Sequence, residues 1–165
     1  MLNTKNNDMS EVDNIAPEGE PIEVKQFVTY TMARVQAKLN AQAAAILKRH
    51  SNLSLVQWRV IALLASGNCD SLTTLCRLSG MDKGQVSRKL TQLVADGMVR
   101  SRLDEHDHRS QKLSLTEDGL KLYDRILPVM RSRQAHVTSN LAEEELAALL
   151  EYLDRIEAAA DRRDF

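Results

Sequence analysis

The sequence predicts a mostly α-helical protein with a small β-hairpin, and three observations carry that prediction. Apolar residues recur at helical spacing near both ends of the chain, over about 25–50 and 142–162. Between these ends, a short helix over about 72–78 and a second, capped helix flank a turn at Ser79-Gly80. The period then changes from about 3.6 to about 2 across 98–104 and 111–116, which is typical of two half-buried strands.

Charge separates an acidic start of the chain from a mildly basic remainder. Residues 1–24 hold one lysine and six acidic residues, and few of the others are apolar. Such a composition favours disorder, so residues 1–21 are predicted to form a disordered acidic tail. The other residues include 21 basic and 17 acidic side chains. The net charge of −1 therefore conceals a folded part that is compatible with an anionic partner.

The remaining composition indicates a soluble, cytoplasmic protein without a membrane partner. No apolar run approaches the roughly 18 residues that cross a bilayer, and the N-terminus lacks the basic start and apolar middle of a signal peptide. Cys69 and Cys76 form no C-x-x-C pair and no disulfide framework. Cys76 is expected to fill the core, and Cys69 is expected to be partly exposed at a turn.

Local signals place the start and the end of the central helices. Ser54 with Gln57, and Asp82 with Gln85, have the spacing of capping boxes that open the second and fourth helices. The first, second and fourth helices are expected to end at residues that break the helical pattern, which are His50–Asn52, Gly67 and Gly97.

The terminal helices carry apolar faces that the small middle of the chain cannot bury. Their apolar residues lie three, four or seven positions apart: Val28, Met32, Val35, Leu39 and Ile46 in the first helix, and Leu146, Leu149, Leu153, Ile156 and Ala160 in the last. A single-chain bundle could absorb both faces, but a symmetric homodimer does so more naturally. Residues 22–50 and 120–163 are therefore assigned as dimerisation helices around a lobe at 54–119. Within 120–163, Pro128 predicts a kink in a helix that opens at Thr116.

The order of short helix, turn, capped helix and hairpin describes a winged helix-turn-helix. In that motif the second helix buries one face and presents the other to the DNA major groove. On a helical wheel the apolar residues of the capped helix share one face, which is predicted to be buried: Val86, Leu90, Leu93 and Val94.

The opposite face of the capped helix has the composition that groove reading requires. It carries short polar groups around Arg88 and no acid before Asp96. Arg88 can pair with guanine and Gln85 or Gln92 with adenine. A solvated helix face is the alternative, although such a face normally carries acids as well. The DNA contacts predicted from this helix are Lys83, Gly84, Gln85, Ser87, Arg88, Lys89 and Thr91.

The hairpin tip contains a run of charged residues that resembles a chemical site. His106, His108 and Asp104 point to the same side of an extended strand and could hold zinc or another divalent ion. Against a metal site, the loop is exposed and no cysteine is near. Catalysis needs a pocket that excludes water and a partner that holds the base, and a hairpin tip offers neither.

Other classes of function find little support in the sequence. A Gly-rich phosphate loop, an H-E-x-x-H motif and a nucleophile elbow are all missing from the sequence, so neither an enzyme nor a cofactor is indicated. A homodimeric interaction module that does not read DNA remains the alternative. It predicts that changes at Arg88 or Arg109 leave function intact.

Two stretches carry a family resemblance: SLTTLCRLSGMDKGQVSRKLTQLVADGMVRS, and D-x-x-D-x-R-S followed by KLSLTEDG. In this order and at these separations they resemble the MarR (multiple antibiotic resistance regulator) transcription factors, over roughly residues 25–162. The resemblance implies a homodimer with interlocking terminal helices, and a partly palindromic DNA site near the regulator's own promoter. It also implies a repressor more than an activator, and often release by a small aromatic or phenolic ligand.

The same resemblance assigns roles in the hairpin. Arg109 is expected to enter the minor groove and Asp107 to orient it, while Arg100, Arg102 and Lys112 neutralise phosphates. Many family members carry Arg where this chain has His108. Because histidine is only partly protonated near neutral pH, a weaker and pH-sensitive contact is expected.

A ligand pocket is also implied by the resemblance, between the dimerisation helices and the DNA-binding lobe. His50 and Trp58 could border it. The alternative, which we favour, is that Trp58 is a core residue.

Overall fold

A computed structural model describes residues 23–103 and 111–162, and the chain divides into two compact units, up to Lys38 and from Leu39. In the first unit the described residues are a 3-10 turn, Val24–Gln26, and the beginning of helix α1, Val28–His50. Val28, Met32 and Val35 are exposed, so the apolar face predicted for this part of the helix is solvent-facing in the single chain. The predicted acidic tail, 1–21, lies outside the described residues.

The second unit contains the rest of α1 and all the other elements. In chain order they are α2 (Leu55–Ala65), α3 (Leu72–Ser79), α4 (Lys83–Ala95), β1 (Val99–Leu103), β2 (Gln111–Leu115), α5 (Glu117–Thr138) and α6 (Glu143–Ala160). The predicted fold class, mostly α with a β-hairpin, is confirmed. The helix at Pro128 continues as α5, as expected, and the kink stays a prediction. Among the described residues, no helix is both long enough and apolar enough to cross a membrane.

The helix caps follow the predicted pattern, with one difference. The box at Ser54 is complete: Gln57 N donates to Ser54 Oγ over 3.3 Å, and Ser54 N donates to Gln57 Oε1 over 2.9 Å. At Asp82 only half of the box forms among the described residues, because Asp82 Oδ1 accepts from Gln85 N over 2.9 Å while the Gln85 side chain remains exposed. The carboxylate alone is sufficient to cap α4.

The hairpin is antiparallel, and its register separates a buried face from a basic one. Val99 pairs with Leu115 and Ser101 with Leu113, and both Val99 and Leu113 are buried. The residues between them, whose side chains project from the other face, pair Arg100 with Ser114 and Arg102 with Lys112, and all four are exposed.

A single apolar cluster joins α2, α3, α4 and the hairpin. Its fully buried members are Val60, Ile61, Leu75, Val86 and Leu93. The wheel prediction holds for the buried face of α4 with the exception of Val94, which is 37% exposed. Val94 lies at the edge of that face and borders an open groove, so no neighbouring element covers it.

A second cluster packs the end of α1 and α2 against α5 around Leu47, Trp58 and Ile126. The rings of Trp58 and Tyr123 stack with their centroids 5.8 Å apart. On α5, Arg133 donates to the carbonyl of Leu39 over 2.9 Å and to Gln42 Oε1 over 3.0 Å. These contacts hold the second half of α1 to α5.

The two cysteines differ from expectation in how far each is buried. Cys69 is buried and packs in the first cluster, whereas Cys76 is only half-buried at its edge. Cys69 Sγ lies 3.7 Å from the Ser71 carbonyl, and burial raises the pKa of the thiol above its ordinary value. Cys69 is covered by its packing in this cluster, which its sequence position beside a turn did not indicate.

Candidate nucleic-acid interface

The outward face of α4 is exposed as a continuous polar surface. Gly84, Gln85, Arg88, Thr91 and Gln92 are all exposed, and they lie opposite the buried Val86 and Leu93. The Thr91 hydroxyl donates to the Ser87 carbonyl over 3.0 Å. At the flank, Lys89 Nζ lies 3.4 Å from Gln92 Oε1. The structure therefore brings Gly84, Gln85, Arg88 and Thr91 together on one side of the helix. Ser87 and Lys89 are half-buried at its flanks, and Lys83 is exposed beside the groove between α3, α4 and the hairpin.

Gly84 and Arg88 are neighbours on this face, one helical turn apart. A Cβ at position 84 would lie 3.8 Å from Arg88 Nη1 and 3.1 Å from Asp82 Oδ1. Because glycine has no side chain, the backbone of the first turn of α4 can approach a nucleobase closely beside the guanidinium. Among the described residues, neither Lys83 nor Arg88 forms an ion pair. Their charges are therefore available to an anionic ligand.

The outer face of the hairpin is a second cationic surface. Arg102 lies directly opposite Lys112 in the strand register, and Arg100 projects on the same side two residues away. Like charges opposite each other destabilise an antiparallel pair. A face that nevertheless presents three cations is suited to phosphate groups, whose neutralisation releases counterions and favours binding.

An open groove with a volume of about 440 Å³ lies beside α4. It runs between the start of α3, α4 and the inner side of the hairpin, and Lys83 lies on it. Its polar lining is mainly hydroxyl groups: Ser71, Thr73, Ser87, Thr91 and Ser101. Hydroxyl and ammonium groups are the side chains that commonly contact DNA phosphates and sugars.

Sequence reasoning missed three of these hydroxyl residues, Ser71, Thr73 and Ser101. The available signal was weak: Ser71 caps α3 by accepting from Thr74 N over 3.3 Å, so its residue type had a local explanation. Their position beside α4 depends on how α3 and the hairpin pack, which no local pattern encodes.

The hairpin tip lies outside the described residues. Asp104, His106, Asp107, His108 and Arg109 all fall within 104–110. The minor-groove contact, the effect of His108 and the alternative metal site therefore stay predictions. Within 23–103 and 111–162, no group of three or more His, Cys, Asp or Glu residues could hold a metal ion.

The two residues proposed for a ligand pocket have different environments. Trp58 is buried and stacked on Tyr123, which is the packing expected of a core residue. His50 is the last residue of α1 and is exposed. A ligand role for either residue stays a prediction.

Comparisons with known proteins agree with this architecture. A model of the MarR family matches residues 51–110, from just before α2 to the residue preceding β2. The homoprotocatechuate degradative operon repressor of Escherichia coli is 27% identical over 135 residues, which cover 81% of this chain and 90% of that protein.

Two solved structures extend the likeness to three dimensions. A MarR/EmrR family transcriptional regulator from Acinetobacter sp. ADP1 superposes with a TM-score of 0.80 at 22% identity, covering 86% of this chain and 100% of that one, and shares the fold. A MarR family transcriptional regulator from Silicibacter pomeroyi has a TM-score of 0.71 at 27% identity, covering 86% of this chain and 94% of that one. In sequence and in fold, the chain is therefore similar to the MarR family of winged helix-turn-helix transcriptional regulators.

Proposed function

We propose that this protein binds a partly palindromic DNA site as a homodimer and represses transcription from it. The observation that carries the proposal is the outward face of α4, which combines Arg88, two exposed glutamines and a glycine with no acid between Lys83 and Ala95. A helix of this kind fits the major groove, where Arg reads guanine and Gln reads adenine.

The other cations are assigned to contacts with the DNA backbone. Lys83 at the start of α4, and Arg102 and Lys112 on the hairpin, contribute affinity that does not depend on sequence and that falls as salt rises. Asp107 and Arg109, at the hairpin tip, are assigned to the adjacent minor groove. Base selectivity therefore resides in α4, and most of the salt dependence resides in its flanks.

Exposed apolar surface supports the homodimer. In α6, all of whose residues are described, none is buried, and Leu149, Leu150, Tyr152 and Leu153 are exposed. A monomer rarely exposes so much contiguous apolar surface on one helix. In a two-fold dimer the two copies of α4 would read half-sites about 34 Å apart, or one helical turn of DNA.

An aromatic effector is proposed as the signal that releases the DNA. The name of the Escherichia coli relative refers to the degradation of homoprotocatechuate, which is an aromatic acid. A ligand bound more tightly by the DNA-free conformation would shift the population away from DNA. We also place the protein in the cytoplasm, where it meets DNA, and assign it no catalytic role.

The test begins with selection of DNA by the wild-type protein from a randomised duplex library. A two-fold symmetric motif is expected, and it should also occur upstream of the protein's own gene. Fluorescence anisotropy then compares the selected duplex with a shuffled duplex of the same composition, for wild type and Arg88→Ala. Loss of one bidentate base contact costs about 1–3 kcal/mol, and the dimer loses one in each half-site. Arg88→Ala should therefore weaken binding to the selected duplex at least about thirtyfold and reduce its selectivity.

Arg125→Ala provides the charge-matched control, because Arg125 is an exposed arginine on α5. It should retain the preference of the wild type. If selection enriches no motif and wild type does not distinguish the two duplexes, the proposed function is wrong and the interaction module takes its place. Homoprotocatechuate, added to the protein–DNA complex, tests the effector separately.

A further inference from the structure

Met98 lies at a junction between the end of α4, the start of β1 and the start of α5. Its backbone N–H donates to the carbonyl of Leu93 over 2.9 Å, across the left-handed Gly97 (φ 72°). This hydrogen bond and the one from Gly97 N to Val94 O (3.1 Å) close the C-terminus of α4 in a Schellman motif. The position of Met98 is therefore bound to the last turn of α4.

On its other side, Met98 is bound to the cap of α5. The Met98 carbonyl accepts from Thr116 N over 3.0 Å. The Thr116 hydroxyl donates its single proton to the Gly97 carbonyl, 2.6 Å away, and lies 3.2 Å from the carbonyl of Met98. Thr116 Oγ1 also accepts from Gly119 N over 3.1 Å and so caps α5. One side chain thus joins the first turn of α5 to the end of α4.

Gly119 makes this junction tight. It is buried, and a Cβ at this position would overlap the Met98 carbonyl oxygen and lie 3.4 Å from Leu115 Cδ2. The clash partner is backbone, which cannot move aside as a flexible side chain can. Glycine is needed here for close approach of the helix to the strand, since its φ is not in the left-handed region.

We propose that Thr116 and Gly119 are positioning residues for DNA recognition, because they hold α4 and the hairpin in one orientation relative to α5. This inference rests on the proposed function. Neither residue is expected to contact DNA. If α5 turns, the junction turns the groove-reading helix with it, since sliding would break the hydrogen bonds of Met98 on one side or the other.

A positioning role can be distinguished from a purely structural role by comparing the affinities for the selected and the shuffled duplex. A variant that only destabilises the fold lowers binding to every duplex equally, through the folded fraction. A variant that loosens or displaces the junction misaligns α4, and it loses base contacts while phosphate contacts adjust. The ratio of affinities for the selected and the shuffled duplex is therefore the readout.

The experiment compares Thr116→Val, Thr116→Ser and Gly119→Ala with wild type at 20 °C, where circular dichroism establishes that each is folded. Thr116→Val retains the shape but removes the hydroxyl, and Thr116→Ser retains the hydroxyl. We expect the affinity ratio to fall roughly tenfold in Thr116→Val and in Gly119→Ala, with Thr116→Ser close to wild type. Lys121→Ala, an exposed change in the same turn region of α5, serves as the matched control.

Hydrogen exchange of the Met98 amide gives a second readout. This amide should exchange faster in Thr116→Val than in Thr116→Ser, because in Thr116→Val the start of β1 is no longer fixed to α5 by the hydroxyl. If Gly119→Ala does not fold, the Thr116 pair decides. An unchanged ratio in Thr116→Val, in a protein whose wild type prefers the selected duplex, would overturn this inference and leave the proposed function standing. A wild type without that preference would overturn both.

Discussion

The lobe formed by α2, α3, α4 and the hairpin differs from α6 in how its apolar residues are used. In the lobe they converge: Val60, Ile61, Leu75, Val86 and Leu93 are almost fully buried among one another. In α6 they do not, and Leu149, Leu150 and Tyr152 are 42, 54 and 55% exposed. The lobe therefore has a core of its own, whereas α6 has an apolar surface that needs a partner.

This difference indicates how recognition and assembly are separated in the chain. Burial of a large apolar side chain contributes about 1.5–3 kcal/mol, so several such residues in the lobe can hold α4 in place without help from a second chain. The same residues in α6 contribute only when another surface covers them. Stability of the DNA-reading elements is thus expected to depend little on protein concentration, and assembly to depend on it strongly.

The largest effect is expected from the core of the lobe. Leu93→Ala should lower the free energy of unfolding by about 2–5 kcal/mol, since Leu93 is 1% exposed and its truncation leaves a cavity. Val94→Ala, one residue further along α4 and 37% exposed, is the matched control and should cost less than about 1 kcal/mol. Urea unfolding followed by circular dichroism measures both. Equal losses would mean that Val94 is covered in solution.

The next largest effect concerns α6. Leu149→Glu should raise the dissociation constant of the homodimer at least about thirtyfold, which corresponds to the roughly 2 kcal/mol of an interface hot spot. Sedimentation velocity over a dilution series measures it, and Glu151→Ala on the same helix is the exposed polar control. A dimer unaffected by Leu149→Glu would remove α6 from the interface, and the exposed apolar residues of α6 would then have no role in assembly.

A smaller effect is expected on the basic face of the hairpin. Arg102→Gln removes one phosphate contact from each protomer of the dimer. It should weaken binding to selected and shuffled duplexes alike by about 1–2 kcal/mol, and reduce the slope of log affinity against log salt by about 2. Stability should change by less than about 0.5 kcal/mol, because the side chain is exposed. A selective loss on the selected duplex alone would instead assign Arg102 to base recognition.

Removal of a helix cap is expected to lower the free energy of unfolding by an amount comparable to that loss of binding, without a change in packing. Asp82→Ala should cost about 1 kcal/mol, because Asp82 Oδ1 caps α4 through Gln85 N, whereas Asp82→Ser retains a cap and should stay within about 0.5 kcal/mol of wild type. Thermal unfolding compares the two. The prediction fails if the two variants melt together.

The smallest expected effect separates the two cysteines by reactivity. Burial raises the pKa of the Cys69 thiol, so at pH 8 less of it is thiolate than in an exposed cysteine. Cys76 is half-buried and should react first with iodoacetamide. Peptide mass spectrometry at short times measures the order, and in urea the difference should disappear. Faster alkylation of Cys69 in the folded protein would contradict its burial.

Much of the fold could be predicted from the sequence, because the signals are local. A cap at Ser54 or Asp82 is a contact between residues three positions apart, and the alternation in the hairpin is a property of neighbouring residues. Most of the proposed DNA surface on α4 follows for the same reason, since one helix determines which of its residues share a face. The order of these elements was sufficient to indicate the family.

Tertiary structure decided the features that join distant parts of the chain. Val94 and Cys69 depart from expectation because exposure depends on which other element covers a residue, and periodicity does not contain that information. The hydroxyls of Ser71, Thr73 and Ser101 meet α4 only through the packing of α3 and the hairpin. In the sequence, Gly119 could be recognised only as the last residue of the KLSLTEDG motif. The approach of its backbone to Met98, 21 residues earlier in the chain, requires both helices and the strand in place.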